Sequence, residues 1–196
     1  MTGFRPPLYF VRHGETDWNR ARRYQGQTDI PLNDLGRKQA ARNGDVLARL
    51  LSRRDDVEFL ASPLLRTSET MSIIRIAMGL EPGTFRTDDS LKEINFGHWE
   101  GCVWDELPTI DPEGFAARLA DPWGWTPRGG ESYATLYQRV ATVLDELTGP
   151  TLMVAHGGVS KVLRGHLLGL KPDEIPRLEV PQDRVLVIED GKARWE

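Results

Sequence analysis

In Leu8-Tyr9-Phe10-Val11-Arg12-His13-Gly14 an arginine, a histidine and a glycine follow directly on four apolar residues. The apolar run, bounded by Pro6-Pro7 and by Gly14, reads as a short strand buried on both faces. Arg12 and His13 then stand where that strand ends. In open α/β sheets the carboxyl ends of the strands are where ligands bind. A guanidinium there needs an anionic partner to stay out of water, and its planar fork suits a phosphate or a carboxylate. The neighbouring imidazole can be nucleophile, base or acid near neutral pH. Gly14 lets a ligand or a second loop approach the backbone. Taken alone, the three residues also fit a salt-bridged arginine beside a hydrogen-bonded core histidine.

Three more stretches carry candidate chemistry. In Ser62-Pro63-Leu64-Leu65-Arg66, Ser62 is a good N-cap and Pro63 a good first helical residue. Arg66 then lies in the first turn of a helix that begins at a strand end. Helix N-termini gather anions, so an arginine there repels the helix end unless an anion lies between them. The competing reading is an ion pair with Glu69 or Asp17. Glu93 sits between Leu91 and Ile94, an apolar setting that makes it a candidate proton donor; otherwise it is a surface glutamate. Thr151–Ala155 followed by His156-Gly157-Gly158 repeats the opening pattern, which puts His13 and His156 at the same edge of one sheet. His98 and His166 read as structural, and Cys102 as a small buried hydrophobe.

The elements that must position these groups follow from periodicity and caps. Asp17–Asp29 has no period and reads as a loop, in which Arg20, Arg22 and Arg23 are expected to be mostly solvated. Asn33 caps a helix expected to reach about Arg53, with Ala40, Val46, Leu47, Leu50 and Leu51 on its buried side. Val57–Ala61 is a second strand. Leu136, Val140, Val143, Leu144 and Leu147 mark an amphipathic helix over Ser132–Leu147. Another helix follows from about Val159 to Leu168, stopped by Gly169. Arg184–Glu189 and Ala193–Glu196 flank Asp190-Gly191, a hairpin signal. Residues 101–131 form an irregular, lid-like insert with short helices expected at Val103–Leu107 and Pro112–Leu119. Its Trp104, Trp123 and Trp125 fit equally the wall of a pocket or the packing of a lid.

The 196 residues are 39% hydrophobic and 28% charged, which fits one globular domain over 1–196. The net charge of -4 argues against nucleic-acid binding, which wants a basic face. One cysteine excludes an internal disulfide and fits the cytoplasm. No secretory-signal pattern and no run of membrane-spanning length is visible, so no membrane partner is expected. Histidine and cysteine spacings do not suit a metal, and the nucleophile elbow of a serine hydrolase is missing. A phosphate reading uses every candidate. Arg12 and Arg66 would bind phosphoryl oxygens, one histidine would attack phosphorus, the other would donate to an equatorial oxygen, and Glu93 would protonate the leaving group.

Four blocks in order resemble the histidine phosphatase superfamily, the phosphoglycerate-mutase-like family. They are Arg12-His13-Gly14-Glu15-Thr16 with Trp18-Asn19 and Gly26-x-Thr28-Asp29-x-Pro31-Leu32; Ser62-Pro63-Leu64-Leu65-Arg66-Thr67; Leu91–Gly101; and Ala155-His156-Gly157-Gly158. The resemblance runs from about Tyr9 to Leu168. It implies a three-layer α/β/α sandwich with a mostly parallel central sheet, His13 as the phosphorylated residue and Glu93 as acid and base. It also implies a phosphate pocket of Arg12, Arg66 and His156, with Asn19, Gln25, Gly26 and Gly157 lining it, and no metal or other cofactor. The family's mutases carry a longer insert with paired arginines. Here only Arg118 and Arg128 stand in that region, and Gly129-Gly130-Glu131-Ser132 resembles the turn of the smaller phosphatases. The expected activity is therefore hydrolysis of a small phosphorylated metabolite. The alternatives are a cofactor-dependent phosphoglycerate-type mutase and a non-catalytic module that binds phosphorylated ligands. Neither substrate identity nor oligomeric state is expressed in these residues.

Overall fold

The computed structural model describes residues 6–51 and 56–196. In chain order the elements are β1 (Leu8–Arg12), α1 (Asp17–Arg20), α2 (Asp34–Leu50), β2 (Glu58–Ala61), α3 (Leu65–Ala77), β3 (Arg86–Thr87), α4 (Leu107–Ile110), α5 (Pro112–Ala120), α6 (Tyr133–Glu146), β4 (Thr151–Ala155), α7 (Gly157–Leu168), β5 (Val185–Glu189) and β6 (Lys192–Trp195). The strands form one sheet in the order β3-β2-β4-β1-β5-β6. β3, β2, β4 and β1 run parallel, whereas β5 is antiparallel to both β1 and β6.

Strand alternation sorts the core onto two faces. Tyr9, Val11, Leu152, Val154, Val185 and Val187 pack with Leu47 and Leu51 after α2 and with Met71 and Ile74 of α3. Leu8, Phe10, Met153, Ala155, Leu186 and Ile188 pack against Leu136, Val140 and Val143 of α6 and Val159, Val162 and Leu163 of α7. Helices therefore cover both faces, and β1 and β4, the central pair, are apolar from Leu8 to Val11 and from Leu152 to Ala155, as a strand buried on two sides requires. Their register sets Arg12 beside Ala155, so the residues that follow, His13 and His156, leave the sheet side by side.

Several sequence expectations are corrected. Asp17–Arg20 is a short helix rather than loop, closed by a capping box in which Thr16 and Asn19 each bond the other's backbone amide. α3 begins at Leu65 behind an N-cap at Leu64 with no side-chain cap, so Ser62 and Pro63 precede the helix. α2 is described to Leu50 with Leu51 at its cap, and the expected extension to Arg53 lies outside the described residues. Cys102 is only half-buried. In the 101–131 insert a 3-10 turn spans Trp104–Glu106 ahead of α4 and α5. Asp111 ties the insert together: it receives the Trp99 indole N–H at 2.8 Å, pairs with His98 at 2.9 Å and caps α5. The Asp190-Gly191 hairpin turn has positive φ at both residues.

Candidate active site

β1 ends in Arg12 and the chain turns at His13, whose amide still donates to Ala155 O at 3.0 Å. The side chain of His13 is almost fully buried. Its Nδ1 lies 2.8 Å from the carbonyl of Gly14. A carbonyl only accepts, so Nδ1 carries the proton and Nε2 holds a bare lone pair. Gly14 is required where it stands, because a Cβ there would collide with the backbone of Gly36 at the start of α2.

Two cations flank this imidazole. Arg12 donates from Nη1 to Val180 O at 2.8 Å, while its Nε is buried with no partner. Arg66, fully buried, donates to Gly26 O at 2.7 Å and Thr28 O at 2.9 Å, and its Nε is likewise unpartnered. Among the described residues neither forms an ion pair. Glu69 is taken by Arg37 at 2.8 Å, and Asp17 lies 3.8 Å from Arg20. The tethers of Arg12 and Arg66 are neutral carbonyls, which orient the guanidinium groups without cancelling their charge. Burial and then the fields of Arg66 and Arg12 hold His13 well below the usual imidazole range. His156 is lowered in the same way, first by burial and then by Arg66, His13 and Arg12. Both rings are neutral at pH 7.

His156 leaves β4 next to His13, with ring centroids 5.3 Å apart. It is completely buried. Its Nε2 lies 2.8 Å from Ser62 Oγ, and its Nδ1 has no partner. Gly157 and Gly158 open α7. A Cβ at Gly158 would overlap Glu93 Oε1, so this glycine permits the carboxylate to reach the helix end. Glu93 Oε1 accepts the amides of Ile94 at 2.9 Å and Gly158 at 3.0 Å, and Oε2 takes only the longer Gly158 contact of 3.2 Å. The apolar setting expected for Glu93 is therefore corrected: the side chain is half-buried on backbone amides. Oε2 retains room for a proton.

These groups meet in one open pocket lined by Arg12, His13, Asn19, Arg23, Tyr24, Gln25, Gly26, Arg66, Glu93 and Phe96. Asn19 accepts from the Thr16 amide and from Gln182 through Oδ1, which leaves its Nδ2 protons for a ligand. Gln25 and Gly26 come from the loop that Glu100 fastens through the amides of Gln27 and Thr28. His156 backs the pocket against His13, and Gly157 lies against Arg12 and Glu93.

Arg23, Tyr24 and Phe96 were not singled out from sequence. Arg23, expected to be solvated, donates to Gly101 O at 2.7 Å at the pocket rim. Tyr24 stacks on Phe96 at 4.3 Å and reaches Trp104 at 5.7 Å, so of the three tryptophans only Trp104 backs the lining; Trp125 packs on Trp99 and Trp123 on Tyr137. Gln182, from the stretch before β5, donates to His13 O and to Asn19. Five side chains also donate to carbonyls of that stretch: Lys161 to Pro176, Arg164 to Glu179, Arg12 to Val180, Asn43 to Gln182 and Arg42 to Asp183. Among the described residues no group of three or more His, Cys, Asp or Glu is placed to hold a metal, and no helix is long and apolar enough to cross a membrane.

Comparison with known proteins puts a family on this geometry. A model described as histidine phosphatase superfamily (branch 1) matches residues 8–196. A glucosyl-3-phosphoglycerate phosphatase of Mycolicibacterium vanbaalenii is 35% identical over 87% of this chain and 78% of its own. Phosphoglycerate mutase-like protein 4 of Arabidopsis thaliana is 39% identical over 80% of this chain and 68% of its own. The crystal structure of a putative alpha-ribazole-5'-P phosphatase from Escherichia coli superposes with a TM-score of 0.80 at 26% identity, covering 98% of this chain and 95% of that one.

Proposed function

The chain belongs to the histidine phosphatase superfamily, and from that premise we propose that it is a phosphomonoesterase in which His13 is the nucleophile and Glu93 the acid and base. One observation carries the assignment of His13: the Nδ1 bond to Gly14 O leaves Nε2 unprotonated in the field of Arg66 and Arg12, whose buried Nε atoms have no partner. Nε2 attacks phosphorus, the P–O ester bond breaks, and the leaving oxygen takes a proton from Glu93 Oε2. Glu93 then removes a proton from water as its oxygen attacks the phosphohistidine. The P–N bond breaks and inorganic phosphate departs. Arg12, Arg66, Asn19 and His156 bind the equatorial oxygens, whose charge grows in the transition state, and Gln25, Gly26 and Gly157 shape the cradle.

The substrate is a small phosphate ester. Tyr24 and Phe96 line the pocket where the ester body would emerge, backed by Trp104. Such a wall favours a bulky, neutral body of the glycosyl or nucleoside type. The glucosyl and ribazole parts of the substrates named for the Mycolicibacterium and E. coli relatives are bodies of this kind, although glucosyl-3-phosphoglycerate also carries a carboxylate. The 101–131 insert, which supplies the backing Trp104, is read as a lid-like part of a single domain, and the chain as a cytoplasmic enzyme with no nucleic-acid partner. Rapid quench with ³²P-labelled ester should trap an acid-labile phosphoenzyme in the wild type and none in His13→Ala, whose turnover falls by at least about 10⁴-fold. Label retained by His13→Ala would end the assignment.

A further inference from the structure

A neutral imidazole has one N–H, so His156 can donate from Nδ1 or from Nε2 but not from both. The neighbour of Nε2 decides which. Ser62 Oγ stands 2.8 Å from Nε2, and both side chains are fully buried. Ser62 Oγ also receives the Leu64 amide at 3.4 Å. If Nε2 carried the proton, Ser62 Oγ would accept from two sides, and its own hydroxyl proton would have no acceptor in a site sealed from water. If the hydroxyl proton goes to Nε2, every polar group of Ser62 is matched: it accepts from Leu64 and donates to His156. Burial with a partner for each donor is the rule that selects the second arrangement.

We propose that Ser62 is a positioning residue that fixes the tautomer of His156, so that the buried, unpartnered Nδ1 carries the proton and donates to an oxyanion beside His13. Ser62 is held for this task. Its amide donates to Val154 O at 3.0 Å on β4 and its carbonyl accepts from Thr67 Oγ1 at 2.9 Å. The turn between β2 and α3 is thereby fixed to the strand that ends at His156. The outcome is one tautomer, Nδ1–H, in two adjacent rings that offer a ligand opposite faces of their chemistry. His13 sits on a carbonyl, which demands a proton on Nδ1 and leaves Nε2 as lone pair. His156 sits on a hydroxyl whose proton has nowhere else to go, so Nε2 accepts and Nδ1 donates. A carbonyl selects the nucleophile and a serine selects the donor. An N–H at Nδ1 has no protein acceptor, and an oxyanion bound between Arg12 and Arg66 supplies one.

The role of the donor rests on the phosphatase reading; the tautomer does not, and the test keeps them apart. Long-range ¹H–¹⁵N correlation spectra of the selectively labelled wild-type protein should show His156 as the Nδ1–H tautomer and His13 likewise. In Ser62→Ala the His156 signal should move toward a mixture or toward Nε2–H. Orthovanadate affinity should fall roughly 5- to 50-fold in Ser62→Ala, the scale of one buried hydrogen bond to an anion, and Ser62→Thr should regain most of it through its hydroxyl. An Nε2–H signal for His156 in the wild type overturns the proposal, whatever the fate of the variants. So does unchanged vanadate affinity in a folded Ser62→Ala. A wild type that forms no phosphoenzyme but shows the Nδ1–H tautomer overturns the phosphatase reading alone.

Discussion

Arg12, His13, Arg66 and His156 are held by strand ends and by the first turn of a helix, Arg12 half-buried and the other three buried, each aimed by one or two bonds to backbone or hydroxyl. The aromatic part of the lining is Tyr24 and Phe96, from two loop stretches, backed by Trp104 of the 101–131 insert. Its members touch one another through tilted rings, and Arg23 holds its edge from an exposed position. One side is a set of charges with fixed directions and the other a set of surfaces. Fixed directions serve a transition state, which tolerates little displacement. Surfaces serve a body whose binding adds apolar area equally in ground state and transition state. The two sides should therefore fail in different kinetic constants.

Glu93→Gln tests the directed side most severely after loss of His13. It should lose about 10²–10⁴-fold in kcat on alkyl phosphates. The loss should be much smaller on p-nitrophenyl phosphate, whose leaving group needs no proton. Equal losses on both would assign Glu93 to binding and blur the division.

On the other side, Tyr24→Ala removes the ring that stacks on Phe96. KM for naphthyl phosphate should rise about 3- to 10-fold, matching roughly 0.5–1.5 kcal/mol for an aromatic contact, with kcat nearly constant. Glycerol phosphate should show little change in either constant. A fall in kcat for both substrates would mean that the wall also orders the catalytic groups.

A further effect is on stability rather than on either kinetic constant. His13 and His156 have native proton affinities well below the usual imidazole value. Below about pH 6.5 the unfolded chain binds protons at these positions that the folded chain refuses. The unfolded state is then favoured as pH falls, and above about pH 7.5 the contribution is flat. Each histidine costs up to about 1.4 kcal/mol per pH unit in that window, or roughly 2–5 °C in Tm for a chain of this size. Scanning calorimetry from pH 8 to 5 should show the decline, reduced in slope for His13→Ala. A Tm independent of pH between 7 and 5.5 would mean that neither ring is held neutral.

The same division explains what could be read before the fold was known. Arg12, His13, Glu93 and His156 stood out because each is the wrong residue type for its local setting: a charge or an imidazole directly after four or five apolar residues, or a carboxylate between Leu91 and Ile94. The β1, β4 and α6 assignments rested on equally local periodicity. Ser62 was legible only as a helix cap. Nothing near it in sequence says that its hydroxyl meets a ring 94 residues away. Asp17–Arg20 was too short to show a period, although Thr16 and Asn19 had the spacing of a capping box. Tyr24 and Phe96 were ordinary aromatic residues until the fold stacked them. Gln182 had no local signal at all.

The stretch from Pro176 to Asp183 is stitched down by donors from β1, α2 and α7 that bond its carbonyls. Its attachment thus depends on the order of those donors as well as on the burial of Val180, and one of the donors is Arg12. Local opening of this stretch and loosening of the anion site are then one cooperative event. An anion that immobilises Arg12 also raises the free energy of that opening. Slow amide exchange at the far end of the chain becomes a report on whether the pocket is filled.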